Sequence, residues 1–324
     1  MNGRENVAVS VLIPVGSRHS DPAQLYADYR AGLEALGVPY ECIFVVDGPR
    51  PDIAEPLLEL ARRYPEVKLV GLSRPFGEAT AIMVGFQQAQ GRVLLTLPAY
   101  FQIDGAEIGK LVAQLESCDL AIGYRYPRAG GWMERARRGL FHRLVAAITG
   151  VRFNDLGCGA RAMKREVLEE IALYGDQHRF LPLLADRQGF RVGEVRVKQS
   201  KSDRFEGSYR AREYAHRALD IFTVFFLVRF TRKPLRFFGM MGVITFSIGA
   251  ILTLIMVVQR LVFMSPLAGR PAFLLSSLLV VLGLQLIALG LLGELIIFTH
   301  SRERKDYQIA EVVQFPAPER LEQR

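Results

Sequence analysis

The stretch VAVSVLIPV at residues 7–15 decides the fold class of this 324-residue chain. It carries no charge and is rich in the β-branched residues valine and isoleucine. A nearly continuous apolar run of this kind is typical of a central strand in a parallel sheet, because helices then cover both of its faces. We therefore predict an α/β protein with residues 7–15 in a central strand.

Downstream of this run, strand and helix patterns alternate with short links. The predicted strands cover residues 41–46, 67–72, 92–97 and 119–124, and the predicted helices cover 21–36, 53–64, 78–90 and 106–115. This alternation predicts a mostly parallel sheet with helices on both faces. Ligands of such sheets bind at the carboxyl ends of the strands, so the residues that follow each strand are the ones to examine for function.

Beyond residue 131 the alternation weakens. Residues 134–149 are predicted to form a basic amphipathic helix, 164–174 a second helix and 191–199 a strand. Residues 209–230 have a helical pattern that is polar at first and then increasingly aromatic. That transition is typical of a helix that lies in the membrane interface and leads into a membrane span.

Two runs near the end of the sequence, 237–259 and 271–293, contain 23 residues each and no charge. As helices they would extend about 35 Å, enough to cross a hydrocarbon core of about 30 Å. Buried helices of soluble proteins seldom stay uncharged beyond roughly 18 residues. The runs therefore favour a two-helix membrane anchor over a hairpin buried in a soluble core.

Positive charge flanks the outer ends of this hairpin more densely than its link. The link contains only Arg260 and Arg270, whereas the outer flanks contain Arg229, Arg232, Lys233, Arg236, Arg302, Arg304 and Lys305. The positive-inside rule then predicts a two-pass protein of the inner (cytoplasmic) membrane, with both termini and the α/β domain in the cytoplasm. Residues 1–15 lack the pattern of a signal peptide.

The net charge of +8 and the pI of about 9.5 are compatible with anionic lipid, phosphate or nucleic acid. Beside a predicted anchor, lipid head groups and phosphates explain the charge most simply, and no nucleic-acid recognition motif accompanies it. The three cysteines, Cys42, Cys118 and Cys158, have no metal-ligand spacing. This pattern predicts a reducing compartment and neither a zinc site nor a disulfide framework.

Several segments, in their order along the chain, resemble the family 2 glycosyltransferases of the polyprenyl-phosphate (undecaprenyl- or dolichyl-phosphate) sugar transferase type. They are SVLIPV, FVVDG, LSRPFGEATAIMVGFQQAQG, FNDLGCGARAMKREVL, RFLPLLA, DRFEGSY and GELIIFTHSRERKDY. The resemblance implies a GT-A Rossmann-like domain over 1–208, juxtamembrane amphipathic helices over 209–236, transmembrane helices at 237–259 and 271–293, and a cytoplasmic tail over 294–324.

The resemblance also implies a site for a nucleotide-sugar and a divalent metal, and here the sequence departs from the family. The family has an acidic residue after the first strand, two Asp after the second, and Asp-x-Asp after the fourth. This chain has Arg18 in the first place, Asp47 alone in the second, and Pro98, Ala99 and Tyr100 in the third. The metal-binding carboxylates of the family pattern are thus absent from these positions.

The departure leaves two alternatives for the cofactor. Mg²⁺ or Mn²⁺ could be held by a displaced ligand, for which Asp104 is a weak candidate, although an acid at a helix N-terminus is the preferred explanation of Asp104. Alternatively, Arg18 and Arg74 could neutralise a diphosphate without metal. Tyr100 could stack on a base or sugar, or simply fill vacated space. The candidate donor-binding residues are Pro14, Arg18, Asp47, Arg74, Tyr100 and Gln102.

The second half of the domain keeps more of the family pattern. Asp155 matches an acidic residue beside the reacting sugar carbon, with a positioning and electrostatic role; the alternative is an Asx turn or a cap of the following helix. Arg204 matches the Arg of an Arg-x-x-Gly-x-Ser loop that closes over phosphates, and it is the second candidate catalytic residue. The candidate acceptor or phosphate contacts are Ser208, Arg210, Arg125, Arg128 and Arg138.

These features predict a membrane-anchored transferase that moves a sugar from a nucleotide-sugar to a polyprenyl phosphate or similar lipid. The alternative from another class is a catalytically silent relative that binds a lipid or a partner protein, which the missing carboxylates support and the retention of Asp155 and Arg204 opposes. Nucleic acid is not an expected partner. Assembly into a homo-oligomer stays open.

Overall fold

The computed structural model describes residues 7–127, 139, 142–143, 145–147, 150–171, 173, 177–203, 234–263 and 271–300. They belong to two compact units, one within Met1–Thr231 and the other within Arg232–Arg324. The predicted interfacial segment at 209–230 and the tail beyond residue 300 lie outside the described residues, as does most of the predicted helix at 134–149.

The first unit is built on one seven-stranded sheet. Its strands are β1 (Val9–Val15), β2 (Tyr40–Val46), β3 (Val67–Gly71), β4 (Val93–Thr96), β5 (Leu120–Arg125), β6 (Arg161–Lys164) and β7 (Val192–Val197). Their order across the sheet is β3-β2-β1-β4-β6-β5-β7. Every neighbouring pair is parallel except the two that β6 makes with β4 and β5. The predicted mostly parallel α/β sheet is confirmed.

The direction of the strands creates two distinct edges. The carboxyl ends of β1 to β5 and β7 lie at one edge of the sheet, and the antiparallel β6 begins at that same edge. We call this side the carboxyl edge. The opposite side, which we call the amino edge, holds the starts of those strands and the end of β6.

Helices cover both faces of the sheet. They are α1 (Pro22–Glu34), α2 (Pro51–Arg63), α3 (Glu78–Gln88), α4 (Ile108–Gln114), α5 (Arg165–Glu170) and α6 (Leu181–Gln188). Helix α1 begins where its sequence predicts, because the Asp21 carboxylate accepts a hydrogen bond from Gln24 N (2.8 Å) and a proline follows the cap. The chain between β5 and β7 differs from the prediction: β6 was not predicted, the helix expected at 164–174 is only α5, and α6 was not predicted.

The central strand β1 is buried along its whole length, which explains its nearly continuous apolar sequence. On one face its odd-numbered residues, such as Val11 and Ile13, belong to one hydrophobic cluster with Tyr29 and Leu33 of α1. On the other face Leu12 packs in a cluster that includes Ile82 of α3. Burial on both faces requires apolar side chains at successive positions instead of an alternating pattern.

The second unit is a hairpin of two helices, α7 (Pro234–Phe263) and α8 (Pro271–His300). The stretches Pro234–Val262 and Pro271–Ile296 are long and apolar enough to cross a membrane. The helices approach closely at glycines: a Cβ on Gly249 would lie 2.7 Å from Val280 N, and one on Gly283 would lie 2.5 Å from Phe246 N. Small residues at such contacts are typical of helix pairs in lipid, where packing drives association.

Candidate functional site

Loops that follow different strands are hydrogen-bonded to one another at the carboxyl edge. Ser20 N, after β1, donates to Ala99 O (2.8 Å), and Ser200 N, after β7, donates to Gln102 O (3.2 Å). These bonds tie the segment after β4 to the segments after β1 and β7. The carboxyl edge is therefore a defined surface made from distant parts of the sequence, as expected for the ligand-binding edge of an α/β sheet.

A buried ion pair lies at this edge between the last residue of β5 and the loop before β6. Arg125 Nε donates to Asp155 Oδ2 (2.7 Å) and Arg125 Nη2 donates to Asp155 Oδ1 (3.0 Å). Asp155 is 1% exposed. Burial acts to lower the pKa of Arg125, but the hydrogen bonds and charge of Asp155 outweigh it and hold that pKa above its ordinary value. Helix α5 begins at Arg165, so Asp155 does not cap it.

Asp203 extends this pair toward the loop after β1. Its Oδ2 lies 3.6 Å from Arg125 Nη1, and its Oδ1 accepts from Arg18 Nη2 at 2.8 Å. The Asp203 side chain is 4% exposed. The four residues Arg18, Asp203, Arg125 and Asp155 form what we call the ion chain. Sequence reasoning missed Asp203, although it stands next to Arg204 in the DRFEGSY segment.

The outer end of the ion chain covers an aromatic ring. The Arg18 guanidinium carbon lies 3.8 Å from the centre of the Tyr100 ring, a cation–π arrangement. Burial raises the pKa of Tyr100, and the positive charges of Arg18 and Arg125 only partly oppose that rise. Tyr100 therefore stays a neutral phenol at physiological pH.

Gln102 joins the segment after β4 to the loop before β6. Its Oε1 accepts from Gly159 N (2.7 Å), and its Nε2 donates to the Tyr100 hydroxyl (2.8 Å) and to Gly157 O (3.4 Å). Gln102 is buried. Both ends of the amide are thus used within the protein, where they hold Tyr100 in place.

Asp47 and Arg74, two other predicted donor contacts, lie around the start of α3. The Asp47 carboxylate accepts from Phe76 N (2.6 Å) and Gly77 N (3.0 Å), and Gly77 has a φ of 96°. Arg74 is exposed and stacks on the Phe76 ring at 4.9 Å. Asp47 therefore shapes the loop that leads into α3, and Arg74 remains accessible to solvent. Pro14 is buried inside β1, paired with Val45.

A second polar cluster beside α3 was not predicted. The buried Arg161 side chain donates to the carbonyl oxygens of Cys158 (3.2 Å), Leu156 (3.4 Å), Arg179 (3.5 Å) and His178. His178 Nε2 lies 3.2 Å from Glu78 Oε2. Burial acts to raise the pKa of Glu78, but His178 outweighs it and the pKa is lowered. These contacts fix the loop before β6, which carries Asp155. The sequence signal for this cluster was Arg161, an arginine among small and apolar residues in the segment GARAM.

The described residues contain no group of three or more His, Cys, Asp or Glu that could hold a metal ion. Asp104, the weak metal candidate, caps the short turn Gly105–Glu107 through Ala106 N (3.4 Å).

The remaining predicted contacts are not covered by the structural description. Arg128, Arg138, Arg204, Ser208 and Arg210 lie outside the described residues, so their roles stay predictions.

The domain matches a known sequence family. The family described as Glycosyl transferase family 2 matches residues 30–172. The chain is 30% identical over 319 residues to the undecaprenyl-phosphate 4-deoxy-4-formamido-L-arabinose transferase of Aeromonas hydrophila subsp. hydrophila, covering 97% of this chain and 96% of that protein. It is 31% identical to the transferase of the same name from Enterobacter sp. (strain 638), covering 94% and 93%.

Solved structures share the fold at lower identity. Glucosyl-3-phosphoglycerate synthase of Mycobacterium tuberculosis in complex with uridine diphosphate superposes with a TM-score of 0.51, at 17% identity, over 68% of this chain and 79% of that one. The same enzyme with Mn²⁺, uridine-diphosphate-glucose and phosphoglyceric acid gives a TM-score of 0.51 at 16% identity, with the same coverage. The predicted GT-A fold is confirmed. By its full-length similarity and its domain match, the chain belongs to glycosyl transferase family 2, together with the undecaprenyl-phosphate sugar transferases.

Proposed function

We propose that this protein transfers a sugar from a nucleotide-sugar to a polyprenyl phosphate, or a similar lipid phosphate, at the cytoplasmic face of the inner membrane. The observation that carries the proposal is the extent of the similarity. It covers 97% of this chain, and so includes both apolar helices as well as the domain, in relatives named as undecaprenyl-phosphate sugar transferases. A lipid acceptor requires such an enzyme to work at the membrane surface.

The proposed reaction is an in-line displacement that inverts the sugar carbon. An oxygen of the lipid phosphate forms a bond to that carbon, the bond from the carbon to the donor diphosphate breaks, and the nucleoside diphosphate leaves with the electron pair. A phosphate oxygen is already anionic, so the reaction needs no strong general base. The pairing of Asp155 agrees with a reaction that needs no such base, because both of its oxygens accept hydrogen bonds from Arg125.

Asp155 then acts as a positioning residue, because it holds the Arg125 guanidinium at the carboxyl edge. In this proposal the candidate phosphate contacts are Arg125, Arg128, Arg138, Arg204, Ser208 and Arg210. Guanidinium groups suit this role since they present several donors in a fixed plane. The proposed orientation, with both termini in the cytoplasm, is supported by the arginines and lysines that flank the hairpin.

A silent relative that binds a lipid or a partner protein is the second candidate. It is favoured by the use of the carboxylates: Asp47 accepts two backbone hydrogen bonds, and Asp155 is paired with Arg125. In the described part of the chain these groups are engaged in holding loops. A protein that only binds lipid phosphate would retain the same arginines without transferring a sugar.

The test is sugar transfer by the full-length protein in nanodiscs that contain undecaprenyl phosphate. A panel of radiolabelled nucleotide-sugars is supplied, in EDTA and separately with Mn²⁺, and the glycolipid product is measured by chromatography. We expect product with at least one donor and a large loss of product in Asp155→Asn. The matched control is Asp119→Asn, because Asp119 is also paired with two cations but lies at the amino edge.

The two candidates predict different outcomes. No product with any donor, together with binding of undecaprenyl phosphate, would support the silent relative. Unchanged transfer by Asp155→Asn would show that the proposed role of Asp155 is wrong. Light scattering on the same preparation measures the homo-oligomeric state.

A further inference from the structure

We propose that Arg18 neutralises the diphosphate of the nucleotide donor, so that a fixed guanidinium takes the place of a divalent cation. The inference rests on the proposed function and concerns how the donor is held. It predicts donor binding that needs no metal ion and fails without Arg18.

The first observation is the position of the positive charge. Residue 100 stands where the family pattern has the second carboxylate of Asp-x-Asp, the group that would face a cation. In this chain residue 100 is a tyrosine, and the Arg18 guanidinium carbon lies 3.8 Å from its ring centre. A positive charge therefore lies beside position 100. It is the charge of an arginine side chain in the loop after β1, and not that of a bound metal ion.

The second observation is that the guanidinium is held in place. The buried Asp203 carboxylate accepts from its Nη2 at 2.8 Å, while the Tyr100 ring supports its face. Tyr100 is in turn fixed, because its hydroxyl accepts from Gln102 and its carbonyl accepts from the Tyr29 hydroxyl (3.3 Å). A charge held on two sides loses little conformational freedom when a ligand binds.

The third observation is that Arg18 keeps donors for a ligand. Its side chain is 47% exposed, and Asp203 is its one hydrogen-bond partner among the described residues. A guanidinium has five N–H donors and can bind a phosphate through two of them at once. Arg18 thus combines a fixed position with accessible N–H groups.

The side chains around position 100 do not fit a divalent metal. Mg²⁺ and Mn²⁺ prefer carboxylate oxygens, whereas Pro98 has no side-chain ligand and Tyr100 is a neutral phenol. A metal ion there would also be repelled by Arg18. Across the described residues no group of three or more His, Cys, Asp or Glu could hold such an ion.

The experiment measures binding of UDP and of inorganic pyrophosphate to the full-length protein in detergent by isothermal titration calorimetry. Pyrophosphate serves as the probe that does not depend on the base. Each titration is done in EDTA and again with excess Mn²⁺. We expect binding of equal affinity in both buffers, and a loss of about 10- to 100-fold in Arg18→Ala, the range of a charge-assisted hydrogen bond. Arg18→Lys keeps the charge without the fork and should be intermediate.

Arg30→Ala is the matched control. Arg30 also stacks on a tyrosine, Tyr64 at 4.8 Å, and is paired with Glu34 at 2.7 Å, but it lies on α1. Its removal should leave the affinity for both probes unchanged. Thermal unfolding of each variant checks that the fold is retained, and the wild-type comparison of EDTA with Mn²⁺ requires no variant.

Three outcomes contradict the inference: wild-type binding that requires Mn²⁺, no binding of either probe in EDTA, or an Arg18→Ala affinity equal to the wild type. Restoring carboxylates in the triple variant Arg18→Ala, Pro98→Asp, Tyr100→Asp should make UDP binding dependent on Mn²⁺. Sugar transfer together with EDTA-sensitive UDP binding would refute this inference and leave the proposed function intact. Metal-free binding through Arg18 without transfer would do the reverse.

Discussion

The amino and carboxyl edges of the same sheet both contain buried or half-buried ion pairs, yet they use them differently. At the amino edge Asp119 accepts from Lys164 Nζ (2.7 Å) and from Arg191 N (2.9 Å). These bonds join the start of β5 to the end of β6 and the start of β7. At the carboxyl edge the ion chain joins Arg125 of β5 to three residues outside the strands, Asp155, Asp203 and Arg18.

The amino edge contains a second example of the same kind. Glu41 Oε1, at the start of β2, accepts from Ser10 Oγ (2.6 Å) and Gln90 N (2.7 Å), and its other oxygen pairs with Lys68. Here the bonded groups lie within the strands or directly beside them. Exposure of the cation does not separate the two edges, because the Arg18 side chain is 47% exposed and that of Arg191 at the amino edge is 64% exposed. Neither a charge cluster nor an accessible cation by itself therefore marks a ligand site; its position at the carboxyl ends of the strands does.

The largest effect is expected when the buried carboxylate at the carboxyl edge is removed. Asp155→Ala leaves the buried Arg125 without its main partner, which should lower the free energy of unfolding by about 3 kcal/mol and abolish transfer. Urea unfolding of the full-length protein in detergent measures the first effect, and the glycolipid assay measures the second.

The matched double variant Arg125→Met, Asp155→Leu separates the two effects. Replacing both charges with apolar groups removes the unpaired charge, so most of the stability should return while transfer stays lost. A double variant no more stable than Asp155→Ala would contradict the explanation by an unpaired buried charge.

A smaller effect is expected at the amino edge. Glu41→Ala removes the acceptor for Ser10 Oγ and Gln90 N, which should cost about 2 kcal/mol of unfolding free energy. The affinity for UDP and the rate of transfer per folded molecule should not change. Glu55→Ala is the control, since Glu55 is exposed and lies 3.9 Å from Arg62; its effect on stability should be negligible. A loss of donor affinity in Glu41→Ala would show that the two edges are not independent.

The smallest expected effect depends on pH and again concerns the amino edge. Burial acts to raise the pKa of Asp119, but hydrogen bonds from Arg191 and Lys164 outweigh it and lower the pKa from 3.8 to about 2. The carboxylate thus stabilises the fold above about pH 4, and this contribution is lost as the pH falls toward 2. After allowance for solvent screening it amounts to about 1 kcal/mol.

Unfolding measured at a series of acidic pH values tests this effect, with Asp119→Asn as the comparison. The variant should show a shallower loss of stability between about pH 4 and pH 2 than the wild type. Identical pH profiles would mean that Asp119 contributes no pH-dependent stability.

Much of the fold could be predicted from local sequence. The apolar run at 7–15 predicted β1, because a short run of successive apolar residues rich in valine and isoleucine is typical of a strand buried on both faces. The uncharged runs at 237–259 and 271–293 predicted α7 and α8, which extend a few residues beyond both. By contrast β6 has only the residues RAMK, too few for a periodic pattern, and its place between β4 and β5 depends on pairing with strands far away in the sequence.

The sequence by itself thus determined the α/β class, the apolar hairpin and the family, because each is written in the length, order and polarity of continuous segments. Only the tertiary structure decided which candidates meet. Arg125 and Asp155 are 30 positions apart, and Arg18 and Asp203 are 185 apart. Hydrogen bonds and ion pairs act over a few ångströms, and those distances are set by the order of strands in the sheet. The pairing of Asp203 with Arg18 could therefore be recognised only once β1 and β7 had brought their loops to the same edge.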